Sequence, residues 1–186
     1  MYDLTEKLAV FFNSGKPEKE REELCRKIWD KYHKRLLYFI RSYSREESED
    51  LLQEIFHKVF NNLDKYNPLY SFKVWIYTIA KNHCINYLKK NRKEINLLGD
   101  ASLLIDNNRS RPVENELIEK QQEQQLQLFL SRLPSDIQTT CYLRFSEKLK
   151  CKHIARILDI PVGTVKSRIH QVKSDLKFLL EEKDEY

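Results

Sequence analysis

The 186-residue sequence has little glycine and proline, with 3 and 5 residues respectively. Because these residues build most tight turns, their scarcity disfavours a many-stranded sheet and favours a few long helices. The sequence also lacks any run approaching the roughly 18 apolar residues that a membrane-spanning helix needs. Its first residues do not combine a basic start with an apolar stretch. We therefore expect a soluble, cytoplasmic protein with no membrane insertion.

The sequence has four cysteines: Cys25, Cys84, Cys141 and Cys151. They form no CxxC pair and lack zinc-finger spacing to histidines, so free thiols in a reducing compartment are the simplest interpretation. Cys84 follows His83, and Cys151 lies two residues before His153, but neither pair belongs to a complete set of metal ligands. The sequence thus predicts no metal site, no catalytic residue and no cofactor.

Charge is abundant, since 33% of the residues are charged and the formal net charge is +5. Two basic blocks, residues 1–95 and 131–186, flank an acidic, glutamine-rich segment at residues 96–130. One interpretation is a polyanionic partner that both blocks contact. The other is ordinary surface charge around a linker, and charge alone does not decide between them.

Three long helices are expected in the first half of the chain. Apolar residues recur every three or four positions over Glu18–Tyr43, which predicts an amphipathic helix. Ser44 and Glu47 match a capping box for a second helix. This second helix carries a broad apolar stripe, made of Leu51, Leu52, Ile55, Phe56, Val59, Phe60 and Leu63. Pro68 predicts a loop, after which Ser71 can cap a third helix.

The second half of the chain is expected to form a separate helical unit. Helical periodicity fades after Glu94, where Gly, Asn, Ser and Pro become frequent, so we expect a flexible linker. Helix is expected again over Val113–Leu130, and Leu133-Pro134-Ser135 is expected to open a compact unit. No strand-like alternation occurs, so the predicted fold class is all-α. The predicted domains are residues 1–95 and 117–186, and residues 96–116 form the predicted linker between them.

Residues 152–169 have the pattern of a helix-turn-helix. Ile154, Ala155 and Leu158 share one face of a short helix, and Asp159 at the turn tolerates a left-handed conformation. The second helix is expected to bury Val165, Ile169, Val172 and Leu176. Its opposite face presents Thr164, Lys166, Ser167, Arg168, His170, Gln171 and Lys173. Hydroxyl, amide and cationic groups at the front of a helix suit a DNA major groove, although a solvated helix face contains the same groups.

A second candidate interface surrounds the start of the third helix. Five aromatic residues lie within twelve positions: Tyr66, Tyr70, Phe72, Trp75 and Tyr77. Polar residues then continue at helical spacing: Asn82, Asn86, Lys89, Lys90 and Lys93. Rings that stack on bases beside cations that hold phosphates are typical of single-strand binding. We expect Trp75, Ile76 and Ile79 to be core, Tyr66, Tyr70 and Tyr77 to be exposed, and Phe72 to be either.

Three segments together resemble one known family. Residues 49–56 resemble the core-polymerase-binding signature of sigma region 2, and residues 72–82 resemble its promoter-melting segment. Residues 160–168 closely resemble the recognition-helix motif of sigma region 4, and Leu133-Pro134 is similar to the entry into that region. Because the three occur in the family's order, the sequence is identified as a member of the bacterial sigma-70 family, of the extracytoplasmic-function (ECF) type.

The resemblance implies partners and site residues. It implies binding to core RNA polymerase, at the beta-prime clamp and the beta flap, and to promoter DNA as duplex and single strand. It also allows an anti-sigma partner. The residues implied at the beta-prime clamp are Asp50, Gln53 and Glu54. Those implied at the minus-ten strand are Tyr66, Tyr70, Phe72, Asn82, Asn86, Lys89 and Lys90. Those implied at the minus-thirty-five duplex are Thr164, Lys166, Ser167, Arg168, Gln171 and Lys173.

Two other classes of protein remain as alternatives. A stand-alone helix-turn-helix regulator would bind operators as a dimer without polymerase. An enzyme acting on DNA would need clustered carboxylates for a metal ion. The acidic cluster at residues 46–50 sits at an expected helix start, where the helix dipole favours acids in any protein. We therefore expect a protein that is not an enzyme.

Overall fold

The computed structural model describes residues 18–98 and 128–181. The chain divides into two compact units, one of Met1–Glu94 with Arg156–Asp159 and the other of Ile95–Ala155 with Ile160–Tyr186. Within the described ranges the backbone is helical and contains no strand, which confirms the predicted all-α class. None of the helices in those ranges is long and apolar enough to cross a membrane.

The first unit contains three long helices, α1 (Glu18–Arg41), α2 (Ser48–Asn61) and α3 (Phe72–Leu98). A 3₁₀ turn at Leu63–Lys65 follows α2. The apolar periodicity predicted for α1 and α2 is confirmed by the buried residues Leu24, Ile28, Tyr32, Leu36, Phe39, Ile40, Leu51, Leu52, Ile55, Phe56 and Val59. Each such side chain contributes about 1.5–3 kcal/mol when fully buried.

The predicted capping box before α2 is wrong. The helix begins at Ser48, and Glu47 at the N-cap makes no side-chain capping bond. The Ser44 amide instead donates to the Ile40 carbonyl at 3.1 Å, because the chain is still completing the last turn of α1. The Ser48 hydroxyl donates back to the Arg45 carbonyl at 2.9 Å. The turn therefore lacks the reciprocal pair that the sequence suggests.

The third helix is longer than predicted. It continues to Leu98, so the first residues of the expected linker, 96–98, are helical. Residues 99–116 of that linker lie outside the described residues, as does the predicted helix over Val113–Leu130 up to residue 127. Residues 128–132 are helical, in agreement with the end of that prediction. The predicted domain boundaries remain predictions.

Apart from Arg156–Asp159, which group with the first unit, the second unit is built from α4 (Ser135–Cys141), a π-helical turn (Tyr142–Ser146), α5 (Cys151–Leu158) and α6 (Val162–Glu181). The expected left-handed residue at the α5–α6 turn is confirmed, since Asp159 has φ 57°. Ile154, Ala155, Ile157, Val165, Ile169 and Val172 form the buried side of this helix-turn-helix. Leu176, which was expected to be buried, is half-buried, and so is Leu158.

A second left-handed residue precedes α5. Lys148 has φ 55°, and the Leu149 amide that follows it donates to the Leu143 carbonyl at 3.0 Å. Lysine has no side-chain group that favours this conformation, unlike Asp or Asn, so no turn signal marks the position in the sequence. The backbone hydrogen bonds that end the π-helical turn impose the conformation instead.

We expect Lys148→Gly to stabilise the second unit by up to about 1 kcal/mol, because glycine removes the steric cost of a left-handed Cβ. Lys150→Gly is the matched control, since Lys150 is exposed and has no positive φ. It should destabilise the unit through the greater freedom of its unfolded chain. Amide hydrogen exchange of α5 and α6 in the full chain measures both effects. Slower exchange in Lys150→Gly than in Lys148→Gly contradicts the assignment of strain to Lys148.

Candidate nucleic-acid interface

The polar side of α2 carries the residues implied to contact polymerase. Asp50, Gln53 and Glu54 are all exposed, on the side opposite the buried Leu52 and Ile55. Residues three and four positions apart on a helix are surface neighbours, so the three side chains form one face. The fold thus brings these three predicted residues together on an acidic, solvent-facing surface.

More of the aromatic rings are buried than the sequence predicts. Tyr66 and Tyr77 were expected to be exposed, but only 3% and 0% of their surfaces are accessible. Phe72, for which both outcomes were open, is also buried. Tyr70 is 56% exposed, which confirms the expectation for that ring alone. Three of the four tyrosine and phenylalanine rings considered for base stacking therefore offer no free face.

Aromatic packing is the physical reason for this burial. The Tyr66 ring meets Phe72 edge-on, with centroids 5.2 Å apart, and its hydroxyl donates to the Tyr70 carbonyl. Tyr77 meets Phe39 of α1 edge-on at 5.1 Å. Edge-to-face rings at these separations are favourable beyond their buried area, and an internal partner satisfies the Tyr66 hydroxyl. The rings anchor the loop before α3 to the core.

Trp75 was expected in the core but is half-buried. Its indole packs against Tyr66 and Phe72, with centroids 5.3 and 5.4 Å away. It also lines an open cavity of about 460 Å³ between α2 and α3. Trp75 therefore combines a rigid apolar support with access to a space of the size that small ligands occupy.

The cavity collects polar residues from both helices. Its lining consists of Lys58, Asn62, Lys65, Trp75, Ile79, Asn82, His83 and Asn86. Asn82 and Asn86 were predicted at the minus-ten strand, and the structure places both at this cavity. Lys89 and Lys90 are exposed further along α3, one and two positions beyond Leu88. Amides, cations and one indole thus surround a single space.

Six lining residues were not predicted as site residues. Two of them, Trp75 and Ile79, were expected in the core, and the other four are polar: Lys58, Asn62, Lys65 and His83. Lys58 and Asn62 lie at the end of α2, where the sequence pattern indicates only a polar helix face. Their place at the cavity depends on how α2 packs against α3, and no spacing within one helix encodes that packing.

His83 is buried and touches two charged residues of α2. Its Nδ1 lies 2.6 Å from Nζ of Lys58, and its Nε2 lies 2.8 Å from Oε2 of Glu54. The second contact is close but is not aligned as a hydrogen bond. Burial, and then the Lys58 charge, lower the pKa of His83 below its ordinary value. The ring is therefore neutral at neutral pH.

On α6 the predicted groove-facing residues separate into two groups. Lys166, Ser167, Gln171 and Lys173 are exposed, as expected, and Thr164 is half-buried. Arg168 is turned towards α4, where its guanidinium pairs with Asp136 and lies 3.5 Å from the Thr140 hydroxyl. Only 22% of the Arg168 side chain is accessible. The cationic face of the helix thus has its lysines outward and its arginine inward.

Comparisons with known proteins identify the family. Residues 28–94 match the family described as Sigma-70 region 2. The chain is 34% identical over 137 residues to the ECF RNA polymerase sigma-E factor of Haemophilus influenzae, covering 70% of this chain and 72% of that protein. It is 30% identical over 141 residues to the ECF sigma factor SigW of Bacillus subtilis, covering 70% and 74%. The chain belongs to the ECF sigma factors.

Solved structures agree with the fold of this sigma factor. The sigma factor RpoE of Bartonella quintana, crystallised with the anti-sigma factor NepR, has a TM-score of 0.62 at 22% identity and covers 84% of this chain and 96% of its own. CnrH, in complex with the cytosolic domain of CnrY, has a TM-score of 0.59 at 17% identity and covers 97% and 99%. At these identities the likeness concerns the two-unit helical fold of the sigma factor.

We expect Arg168→Ala to destabilise the second unit of the sigma factor by about 1 kcal/mol, because it breaks a partly buried ion pair. Asp136→Ala should cost a similar amount, and the double variant should cost less than the sum. Lys166→Ala is the control, since Lys166 is exposed. It should leave stability unchanged and weaken duplex binding. Urea unfolding followed by circular dichroism measures the cycle, and additive single effects contradict the pairing.

Proposed function

We propose that the chain guides core RNA polymerase to promoters, and that the cavity between α2 and α3 captures an unpaired base of the minus-ten strand. The observation that carries the proposal is the meeting of Trp75, Asn82 and Asn86 with the lysines of α2 and its following turn around one space. Membership of the ECF sigma factors supports the wider role.

Polymerase binding is assigned to the acidic face of α2. Asp50, Gln53 and Glu54 face solvent from a helix whose opposite side is locked in the core. An exposed, rigid acidic surface suits a basic partner helix, and the family resemblance supports the beta-prime clamp as that partner. The beta flap is assigned to the second unit by the same resemblance. In this role the chain supplies binding energy and specificity, and the polymerase performs the chemistry.

At the cavity, the free energy gained by stacking a base on a ring would offset the cost of removing that base from the duplex. Removing a base from the duplex stack costs a few kcal/mol. Stacking on an aromatic side chain returns about 1–3 kcal/mol per base, and in this proposal the Trp75 indole that lines the cavity provides it. The amides of Asn82 and Asn86 can hydrogen-bond base edges, while Lys89 and Lys90 can contact phosphates. Tyr70, which is 56% exposed, is proposed as a second ring, whereas Tyr66 and Phe72 support the cavity from within the core.

Recognition of the minus-thirty-five duplex is assigned to the exposed residues of α6. Thr164, Lys166, Ser167, Gln171 and Lys173 occupy the side opposite the buried Val165 and Ile169. Arg168 is assigned a positioning role, since its guanidinium is held by Asp136. The RpoE and CnrH structures are complexes with NepR and CnrY. We propose that an anti-sigma protein also binds this chain.

Run-off transcription from genomic promoter fragments, with purified core polymerase, tests the function directly. Transcripts that depend on the chain are expected. Dimeric operator binding without polymerase would instead support a stand-alone regulator, and metal-dependent cleavage would support an enzyme.

Within that assay, Asp50→Lys with Glu54→Lys should abolish association with core polymerase, because the exposed acidic face becomes basic. Glu22→Lys with Asp30→Lys is the matched control, with the same charge change on exposed residues of α1. Pull-down of core polymerase measures association, and circular dichroism checks that the helices persist. Equal retention of polymerase by both double variants removes the assignment of the α2 face.

Asn82→Ala and Asn86→Ala should each weaken capture of the minus-ten strand by about 3–10-fold, as expected for one lost hydrogen bond. Asn61→Ala is the control, because Asn61 is exposed on α2 and bonds to His57 rather than lining the cavity. Holoenzyme binding to fork DNA with an unpaired minus-ten strand is measured against binding to an upstream duplex. Losses of the same size on both DNAs count against a base-capturing cavity.

A further inference from the structure

One wall of the cavity holds a histidine between two charges of opposite sign. Glu54 and Lys58 are four positions apart on α2, the spacing at which they would normally pair with each other. Instead, the His83 ring of α3 lies between them, with Nδ1 at 2.6 Å from the lysine and Nε2 at 2.8 Å from the carboxylate. The histidine side chain is 9% exposed, whereas the carboxylate is 62% exposed.

The chemistry of the three groups fixes the protonation state of the ring. A lysine ammonium has three donors and no acceptor, so Nδ1 must accept its hydrogen bond and carry no proton. The imidazole is then neutral, with its proton on Nε2, facing the Glu54 carboxylate. Glu54 and Lys58 are the charged groups acting on His83, and both belong to α2. Burial and the Lys58 charge, which lower the pKa of His83, favour the same state.

The polar contacts continue from Lys58 along the cavity. The Lys58 carbonyl accepts from Nδ2 of Asn62 at 2.7 Å, and Oδ1 of Asn62 accepts from Nζ of Lys65 at 2.9 Å. Lys58, Asn62 and Lys65 all line the space, together with His83. The two lysines are therefore held at defined places beside the cavity, one by a ring nitrogen and the other by an amide oxygen.

We propose that His83 is a positioning residue for strand capture: its neutral ring holds the Lys58 ammonium beside the cavity, where the ammonium contacts a phosphate of the captured strand. The role rests on the proposed function of the cavity. Histidine suits it because a neutral acceptor orients the cation without cancelling its charge. A carboxylate at this position would orient the ammonium but would also neutralise its charge.

The arrangement has a consequence for pH. A protonated His83 has a donor at Nδ1 and a positive charge, so it repels Lys58 instead of accepting from it. Because the pKa of His83 is lowered, the contact is intact above the ordinary histidine value of about 6.5 and is lost as the pH falls towards the lowered value. Strand capture should weaken over that window, and so should the free energy of unfolding of the first unit.

Nitrogen NMR of the full chain tests the geometry without reference to DNA. His83 should show the neutral tautomer with the proton on Nε2 at neutral pH, and its titration midpoint should lie below about 6.5. Lys58→Met should raise that midpoint. A proton on Nδ1, or a midpoint that Lys58→Met leaves unmoved, overturns the proposed contact.

Holoenzyme binding to fork DNA tests the role. His83→Leu should weaken binding by about 10-fold or more, the effect of one lost hydrogen bond to a charged group, and Lys58→Met should weaken it equally. The double variant should be no weaker than either single one. His83→Asn keeps an acceptor near Nδ1 but does not titrate, so it should restore binding and remove its pH dependence between about pH 7.5 and 5.5.

The binding results distinguish a failure of the His83 role from a failure of base capture at the cavity. If Lys58→Met binds weakly while His83→Leu binds normally, the positioning role of His83 is overturned but base capture at the cavity is not. Normal binding by Lys58→Met, Asn82→Ala and Asn86→Ala overturns capture at the cavity and the role of His83 with it. Binding of upstream duplex at each pH, measured in parallel, removes the contribution of titrating groups elsewhere in the holoenzyme.

Discussion

The fixed rotation of α2 is the constraint on which both surfaces of the first unit depend. Its sequence alternates in pairs, so that Leu51 and Leu52 are buried, Gln53 and Glu54 are exposed, and the next pair is buried again. Turning the helix to bury the second pair would remove a carboxylate from water without a partner, which costs far more than one apolar contact returns. The rotation of α2 thus determines both which residues form the acidic face and which residues line the cavity.

Packing also fixes the position of the aromatic residues at the start of α3. Tyr66, Phe72 and Tyr77 are buried, so their rings offer no exposed face. Two of them, Tyr66 and Phe72, pack against Trp75 and fix its position. A site that must hold a base within a few tenths of an ångström needs such support, since a ring on a mobile loop would lose entropy on binding. In the proposed role, the buried rings would contribute to recognition through stiffness, and Trp75 would contribute through the part of its indole that lines the cavity.

The sequence predicted those features that one helix encodes by itself. The buried stripe of α2, the left-handed Asp159 and the outward lysines of α6 all follow from periodicity or local turn chemistry. The contacts of Arg168 with Asp136 and of Lys58 with His83 span 32 and 25 positions, so no local pattern contains them. Tyrosine was ambiguous because it has an apolar ring and a polar tip, and the Tyr70 carbonyl that satisfies Tyr66 becomes a partner only when the loop has folded.

These long-range contacts decide what each cation can do. Asp136 orients Arg168 and also neutralises it, so a phosphate could recruit this guanidinium only by breaking an existing ion pair. His83 orients Lys58 while leaving the ammonium charge intact, and the nearby Glu54 carboxylate acts across the ring rather than on the lysine itself. Net charge counts the two cations equally. The ion pair with Asp136 makes Arg168 part of the scaffold, whereas the contact with His83 leaves the Lys58 charge available to an anionic ligand. The chemistry of the partner, more than the number of basic residues, therefore decides which cations can bind such a ligand.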